Sequence, residues 1–218
     1  MTDVVILDAK QELTQIEFGI LNKLVSPEKQ ERLKRFNFYK DACNTLLGDI
    51  LARTEICRVT GLGNNTLEFS ANTYGKPFLV NDPRIHYNIS HTGNYVVCAM
   101  DNQPVGIDIE LIKPIDLKIP ERFFTPDEVY YIISPQDDLV THRFYEVWTK
   151  KESRIKLEGK GLSMPLSSFD VFDDAESGGI YYHLVFRNDE AICYLCSLKK
   201  EKPNVRIVDI NILMRQIR

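Results

Sequence analysis

The alternation of apolar and polar residues along this chain predicts a mixture of helices and short strands. Apolar side chains spaced three or four residues apart indicate a helix with one buried face, whereas strict alternation indicates a strand. Turn and cap residues divide the pattern, as where Ser26 and Pro27 precede an acidic residue. Helices are predicted at 12–24, from 26 onward, at 39–59, from 125 onward and at 142–157.

Short strands are predicted between these helices, and their order suggests two similar halves. The strands are expected at 4–7, 67–70, 86–90, 95–100, 105–110, 169–172, 181–186, 191–198 and 205–210. Each half has a strand, then helices, then further strands, although the sequence contains no clean repeat. We therefore predict an α+β fold of two similar, closely packed lobes, residues 1–103 and residues 104–218.

Composition and charge place the chain among globular proteins and argue against two kinds of partner. It has 218 residues, of which 44% are hydrophobic, and a net charge of −4, whereas a general nucleic-acid surface needs a basic excess. No apolar run approaches the ~20 residues that span a bilayer, and no basic-then-apolar leader opens the sequence. We expect a cytoplasmic protein with no membrane or nucleic-acid partner, whose five scattered cysteines are reduced thiols.

Two acidic residues on one predicted strand suggest a metal site. Successive side chains of a strand point to opposite faces, so Asp108 and Glu110 share one face while Ile107 and Ile109 share the other. Neighbouring carboxylates repel each other unless a cation lies between them, and Mg²⁺ accepts a few carboxylate oxygens beside water or phosphate. The simpler alternative is a solvent-facing strand with alternating acids, which is the commoner meaning of this pattern taken alone.

A helical run after residue 147 adds a third acid and two lysines. Trp148, Glu152 and Lys156 follow one another at intervals of four and form one stripe, with Lys151 a quarter turn away. Together with the acidic strand, these side chains have the charges needed to hold a divalent cation and a phosphate. Alternatively, Glu152 and Lys156 form an ordinary helix pair worth roughly 0.3–0.5 kcal/mol.

Three further motifs have weaker chemical meaning. His91, at the end of a predicted strand, is placed to donate a hydrogen bond to a phosphate, although a histidine among polar residues is more often a turn residue. Lys76 lies in a Tyr-Gly-Lys-Pro turn that says little by itself. Cys193 and Cys196 have the spacing of a metal-binding pair, but on a strand their thiols face opposite ways.

In combination and order, these motifs resemble the 4′-phosphopantetheinyl transferases, specifically the surfactin-synthetase-activating type. The resemblance covers most of the chain and is weaker in the last sixty or so residues. The matching runs are Ser26-Pro27-Glu28-Lys29, Thr45-Leu46-Leu47-Gly48-Asp49, Tyr74-Gly75-Lys76-Pro77, Asn88-Ile89-Ser90-His91, Val105-Gly106-Ile107-Asp108-Ile109-Glu110, and Trp148 to Lys156 followed by Gly159-Lys160-Gly161-Leu162.

The resemblance implies a reaction, a fold and a set of partners. The reaction is Mg²⁺-dependent transfer of the phosphopantetheine arm of coenzyme A to a serine of an apo acyl or peptidyl carrier protein, releasing adenosine 3′,5′-bisphosphate. Such carriers serve polyketide and nonribosomal peptide synthesis. The fold is a pseudo-duplicated one, similar to holo-acyl-carrier-protein synthase, with the active site in the cleft between the lobes. A chain with both lobes needs no second copy, so we expect a monomer.

The resemblance also implies roles for particular residues. The predicted Mg²⁺ ligands are Asp108, Glu110 and Glu152. The residues predicted to bind coenzyme A are Lys29, Arg32, Thr45, Lys76, Ser90, His91, Lys151 and Lys156. The predicted catalytic residues are Glu152 as the base that deprotonates serine, Lys156 as the cation facing the transferred phosphate, and His91.

One position departs from the family pattern. Relatives commonly have Ala-His-Arg before the Thr-Leu-Leu-Gly run, whereas this chain has Asn44 in place of the arginine. We expect weaker coenzyme A binding, or compensation by Lys40 or Arg53.

The sequence leaves two other functions open and suggests one candidate surface for the carrier protein. The alternatives are a Mg²⁺-dependent enzyme that cleaves a nucleotide pyrophosphate with water, and a non-catalytic module that binds coenzyme A and carriers. Residues 112–128 are a candidate carrier surface with Phe123 and Phe124 as anchors, although both phenylalanines are more simply explained as core residues.

Overall fold

The computed structural model describes residues 1–134, 138–172 and 179–216, and these form a mixed α+β fold, as the sequence predicts. The strands are β1 (Asp3–Asp8), β2 (Phe69–Ala71), β3 (Pro77–Leu79), β4 (His86–Thr92), β5 (Tyr95–Asp101), β6 (Val105–Leu111), β7 (Tyr181–Arg187), β8 (Ala191–Ser197) and β9 (Asn204–Val208). The helices are α1 (Gln15–Asn22), α2 (Pro27–Leu33), α3 (Tyr39–Thr60), α4 (Lys118–Phe123), α5 (Pro126–Ile133), α6 (Val140–Glu158) and α7 (Ile210–Gln216). Short 3₁₀ turns occur at Asn64–Thr66, Gly161–Ser163 and Leu166–Ser168.

Local chemistry explains where the helices begin and end. The Ser26 hydroxyl accepts a hydrogen bond from the backbone of Lys29, and Pro27 occupies the first turn of α2. Two long helices, α3 and α6, end at Gly61 and Gly159, whose positive φ angles of 74° and 67° favour glycine. The predicted start of α2 and the predicted ends of α3 and α6 are therefore confirmed.

The structure departs from the prediction in several elements: β3 and α4 were not expected, and the first helix spans Gln15–Asn22 instead of 12–24. Residues 169–172 are not a strand. The segment follows a 3₁₀ turn, and the partly buried Phe169 packs against an apolar cluster formed by residues of α5 and α6. After β9 the chain forms α7, where the sequence pattern suggested only a strand as far as residue 210. Asp209 caps this last helix by accepting a hydrogen bond from the Ile212 amide.

The strands form two main sheets and a small hairpin. The first sheet has the order β4-β5-β1-β9, in which only the β1–β9 pair is parallel, with Asp3 opposite Asn204. The second is an antiparallel sheet with the order β6-β8-β7. Because β9 crosses back to the first sheet, the C-terminal strand packs with the N-terminal elements, and the division at residue 103 stays a prediction.

Apolar clusters lie on both sides of the first sheet. One face of β1 and β5 packs against α3, with Val5, Val96 and Cys98 in that cluster. The other face packs against the second sheet, and Ile107 and Ile109 of β6 belong to this cluster between the sheets. The second sheet is covered on its far side by α6, and none of the described helices is both long and apolar enough to cross a lipid bilayer.

All five cysteines are free thiols in this packing. Cys193 lies between the two sheets, whereas Cys196 packs on the opposite face of β8 beside Leu157. The prediction that these two thiols face opposite ways is confirmed.

The edges of the two sheets are joined by side chains. Oδ1 of Asn88 accepts a hydrogen bond from the Ile107 amide at 2.8 Å, and Oγ of Ser90 accepts one from the Ile109 amide at 3.4 Å. Polar side chains of β4 thereby satisfy the outer amides of β6, which are obligatory donors in a buried position. This contact fixes the end of β4 beside the acidic residues of β6.

A close approach between α6 and β6 occurs at Gly106. A Cβ atom at this position would lie 2.0 Å from the Ser153 carbonyl oxygen and 2.3 Å from the Leu157 nitrogen, both of them backbone atoms. Only glycine allows the helix to lie this close to the strand. The approach brings the stripe that contains Glu152 and Lys156 next to the acidic strand.

We expect Gly106→Ala to reduce the free energy of unfolding by about 3 kcal/mol, because a backbone shift must relieve the overlap. Urea unfolding measures the change. Gly19→Ala is the matched control, since a Cβ at Gly19 of α1 meets nothing within 4 Å; it should instead stabilise by about 0.5–1 kcal/mol. Equal stability of Gly106→Ala and the unsubstituted protein would contradict the close contact.

Candidate active site

A cluster of charged groups forms where β4, β6 and α6 meet. Nζ of Lys156 donates to Oδ1 of Asp108 at 2.6 Å and to Oγ of Ser90 at 2.9 Å. The Ser90 hydroxyl also donates to Oδ1 of Asp108 at 2.9 Å. Asp108 of β6, Lys156 of α6 and Ser90 of β4 are thus brought together, as the sequence predicts.

The other two acids of the predicted metal site act electrostatically on the same cluster. Burial and the nearby Asp108 carboxylate raise the pKa of Glu110 to about 7, against the lowering effect of Lys156. Burial and Asp108 also raise the pKa of Glu152, and Lys156 again opposes the shift. These shifts arise because several carboxyls share a partly desolvated space with one ammonium.

This environment suits a cation. Oδ2 of Asp108 is buried and lacks a hydrogen-bond partner among the described residues. An unpaired carboxylate oxygen beside two carboxyls of raised pKa fits a divalent ion with oxygen ligands. Within the described residues, however, no three acidic, histidine or cysteine side chains already have the spacing of a metal site, so Mg²⁺ binding stays a prediction.

The predicted nucleotide-binding residues lie around the start of α2 and the end of β4. Lys29 pairs with Asp49 of α3, with 2.9 Å between Nζ and Oδ2. His91 lies at the end of β4, where desolvation of its ring and then the Lys156 ammonium lower its pKa, with a smaller lowering effect from Lys29. Arg32 is exposed on α2 and Thr45 is half-buried on α3.

Asn44, the residue that departs from the family pattern, lies on the same side as the predicted nucleotide-binding residues. Asn44 is buried on α3 and its amide donates to the Gly93 carbonyl at 3.1 Å. Nζ of Lys40 donates to Oδ1 of Asn94 in the same turn, at 2.9 Å. The Arg53 guanidinium contacts Asn64 and also Asp49, the carboxylate that pairs with Lys29.

Two lysines predicted to bind coenzyme A instead contact the protein. Lys151 is fully buried; its Nζ lies 2.7 Å from the Glu128 carboxylate and donates to the Leu166 and Phe169 carbonyls, at 2.7 Å each. These three partners use all the protons of the ammonium, so the structure does not bring Lys151 to the cluster. The adjacent residue on α6, Glu152, points to the cluster because the two side chains lie about 100° apart on the helix.

Within the described part of the chain, Lys76 likewise donates only to backbone carbonyls. Its Nζ lies 3.0 Å from the Val105 oxygen, 2.5 Å from the Lys156 oxygen and 3.1 Å from the Leu157 oxygen. Burial lowers the pKa of Lys76 to about 8. Its expected contact with coenzyme A is not supported by this placement.

Sequence reasoning assigned no role to three residues that hold the site together. Asn88 joins the sheet edges, Asn72 contacts the end of α6, and Glu128 neutralises the buried lysine. A capping-box pattern signals Glu128 at the start of α5, where it accepts a hydrogen bond from the Thr125 amide. Nothing in that local pattern indicates that its carboxylate is also the partner of a distant ammonium.

The two phenylalanines of the candidate carrier surface have different environments. Phe124 is buried and its ring packs against Phe144 and Trp148. Phe123 is 41% exposed beneath the Arg122 guanidinium. Phe124 is therefore a core residue, as the simpler explanation has it, while Phe123 remains available to a partner.

Comparison with known families assigns both halves of the chain to related groups. Residues 12–103 match the family described as 4′-phosphopantetheinyl transferase, N-terminal. Residues 104–208 match the 4′-phosphopantetheinyl transferase superfamily.

Individual relatives agree with these matches. The 4′-phosphopantetheinyl transferase Sfp of Bacillus subtilis strain 168 is 48% identical over 159 residues, which is 73% of this chain and 71% of the relative. The 4′-phosphopantetheinyl transferase ffp of Bacillus subtilis is 47% identical over the same shares. The 4′-phosphopantetheinyl transferase gsp of Aneurinibacillus migulanus is 36% identical over 97% of this chain and 92% of its own length.

Proposed function

Because this chain belongs to the 4′-phosphopantetheinyl transferase superfamily and is a transferase enzyme, we propose that it modifies carrier proteins with an arm taken from coenzyme A. The acceptor is a serine of an apo acyl or peptidyl carrier protein, and the second product is adenosine 3′,5′-bisphosphate. The reaction takes place in a cleft between two lobes, residues 1–103 and 104–218, in a monomeric cytoplasmic protein. The observation that carries the proposal is the contact of the Lys156 ammonium with Asp108 and Ser90, between carboxyls of raised pKa.

The acidic cluster is the proposed Mg²⁺ site. Asp108, Glu110 and Glu152 would hold the ion, and the unpartnered Oδ2 of Asp108 supports this assignment. When bound, Mg²⁺ supplies positive charge that offsets the negative charge of the pyrophosphate oxygens. A bound cation would also lower the pKa values of Glu110 and Glu152, since the ion favours their charged forms.

The chain's own residues then account for the remaining charge and proton movements. The serine oxygen forms a bond to the phosphorus that bears the pantetheine arm, and the pyrophosphate P–O bond breaks with its electron pair leaving on the nucleotide. Glu152 takes the serine proton, directly or through a water molecule. Lys156 offsets the negative charge that develops on the transferred phosphate and the leaving group.

The opposite end of coenzyme A meets the basic side of α2 and the end of β4. Lys29, Arg32 and Thr45 contribute charge and a hydroxyl near the 3′-phosphate, and His91 contributes its ring from the end of β4. Positive charge from Lys156 and Lys29 acts on His91, which supports anion binding near this residue. Phosphate contacts of this kind position the nucleotide while the cluster on β6 acts on the pyrophosphate.

The direct test is a mass measurement. The protein is incubated with coenzyme A, Mg²⁺ and several apo carrier proteins, and we expect a carrier to gain the mass of one phosphopantetheine arm. No gain with any carrier would refute the proposal. Release of adenosine 3′,5′-bisphosphate without a carrier would favour hydrolysis instead, and binding of coenzyme A without turnover would favour a non-catalytic module.

Position 44 gives a second test, this time of nucleotide binding. We expect Asn44→Arg to lower the KM for coenzyme A about tenfold, because a charge-assisted hydrogen bond to phosphate is worth about 1.5 kcal/mol. Lys40→Met should raise the KM, since Lys40 is the cation that reaches the same turn. Asn44→Ala is the control for loss of the amide contact without a new charge, and an unchanged KM in Asn44→Arg would contradict the prediction.

A further inference from the structure

The C-terminal end of α6 is capped by side chains from a distant turn. The last carbonyls of a helix have no partner within it, and α6 ends at Gly159. Nζ of Lys76 donates to the carbonyls of Lys156 and Leu157 at 2.5 and 3.1 Å, and Nδ2 of Asn72 donates to the Gly159 carbonyl at 2.8 Å. These three carbonyls at the helix end thus receive hydrogen bonds from two residues that lie about eighty positions earlier in the sequence.

The capping turn is closed by its own hydrogen bonds and is anchored to β6. Oδ1 of Asn72 accepts hydrogen bonds from the Tyr74 and Lys76 amides at 2.9 Å each, and the Asn72 amide donates to the Lys76 carbonyl at 3.0 Å. The third proton of the Lys76 ammonium goes to the carbonyl of Val105, the first residue of β6, at 3.0 Å. One ammonium therefore connects the beginning of the acidic strand with the end of the catalytic helix.

The positive charge of Lys76 and the close packing around Gly159 both favour this capping of α6. A cation at a helix C-terminus interacts favourably with the helix dipole, and hydrogen bonds from a charged donor are about twice as strong as neutral ones. The space is closely filled, because a Cβ at Gly159 would lie 2.9 Å from Cδ of Lys76 and 3.1 Å from Nδ2 of Asn72. The glycine that ends α6 is thus also required for the side chains that cap it.

We propose that Lys76 and Asn72 are positioning residues that hold the last turn of α6 against β6, so that the Lys156 ammonium stays on Asp108 and Ser90. Lys76 donates to the backbone of the very residue whose side chain reaches those groups. The inference rests on the proposed role of Lys156 at the phosphate. Lys76 acts through Lys156, because all three protons of its ammonium go to backbone carbonyls.

The first experiment separates positioning from direct contact. Lys76→Met keeps the length of the side chain but removes the ammonium, and we expect kcat to fall about tenfold to a hundredfold, as for a small displacement of a catalytic group. The KM for coenzyme A should change less than about twofold. A raised KM with unchanged kcat would overturn the proposal, because it would mean that Lys76 contacts the nucleotide.

Two further variants test whether a lower kcat comes from the helix end itself or from a general loss of folding. Asn72→Asp removes the donor to Gly159 but keeps the oxygen that closes the turn, and it should also lower kcat. Lys160→Met is the matched control, because the exposed Lys160 at the same helix end pairs only weakly with Glu158, at 3.4 Å; its kcat should be unchanged. Hydrogen exchange should quicken in the last turn of α6 in Lys76→Met while the core of α3 keeps its protection; unchanged exchange in that turn would overturn the proposal.

A double-mutant cycle with Lys156→Ala completes the test. If Lys76 acts through Lys156, Lys76→Met should lower kcat far less in the Lys156→Ala background than alone. Equal losses in both backgrounds would overturn the positioning role. Full activity of Lys156→Ala itself would refute the proposed role of Lys156, and this outcome is distinguishable because it does not involve Lys76.

Discussion

Replacing Asp108 by asparagine should lower the rate of transfer about a thousandfold while the protein stays folded. The asparagine oxygen can still accept hydrogen bonds from Lys156 and Ser90, but the charge that a divalent cation requires is lost. A thousandfold loss corresponds to about 4 kcal/mol, which is within the range expected for loss of a metal ion's charge stabilisation. Steady-state kinetics with coenzyme A and an apo carrier measure the effect.

Mg²⁺ binding supplies a readout that is independent of turnover. Titration calorimetry should detect Mg²⁺ binding to the unsubstituted protein and a much weaker signal for Asp108→Asn. Asp3→Asn is the matched control, since Asp3 lies on β1 and pairs with Arg58, remote from the cluster; its activity should be retained. Full activity in excess EDTA, or in Asp108→Asn, would show that no metal at this site is needed.

Removing either member of the Lys151–Glu128 pair should reduce the free energy of unfolding by about 3–5 kcal/mol, because the remaining charge is left buried without a partner. Both side chains are fully buried, and 2.7 Å separates Nζ from the carboxylate. Lys151→Met and Glu128→Gln are the single variants, measured by urea unfolding. The loss of unfolding free energy in the double variant should be about 2 kcal/mol smaller than the sum of the two single losses.

The next lysine along α6 provides the control for this prediction. Lys150 pairs with Glu146 at 2.7 Å, but both side chains are partly exposed to solvent. Lys150→Met should therefore cost about 1 kcal/mol or less, as for other solvent-exposed ion pairs. Equal losses for Lys150→Met and Lys151→Met would contradict the view that burial makes the Lys151 pair exceptional.

The sequence was most informative where local chemistry alone decides the structure. The Ser26-Pro27 start of α2 and the glycine ends of α3 and α6 follow from capping rules that involve only neighbouring residues. The predicted strand at 169–172 was wrong because the apolar residues there pack against helices instead of joining a sheet. Apolar content by itself does not distinguish these two environments.

The candidate site shows the same division. Alternation on β6 correctly predicted that Asp108 faces away from Ile107 and Ile109, which lie between the sheets. The environments of Lys76 and Lys151 were not predictable, because their partners are backbone carbonyls and a carboxylate from distant parts of the chain. A motif identifies a lysine, but only the packing determines whether its ammonium faces a ligand or the protein.

The parallel pairing of β1 with β9 affects how the chain can be synthesised and folded. β1 is synthesised long before β9, so one of its edges stays open until β9 is made and pairs with it, with Val4 opposite Val205 in the register. Leu213 of α7 completes the apolar layer under the same sheet. An open strand edge readily pairs with other chains, so the nascent protein can aggregate through β1 until β9 has been synthesised.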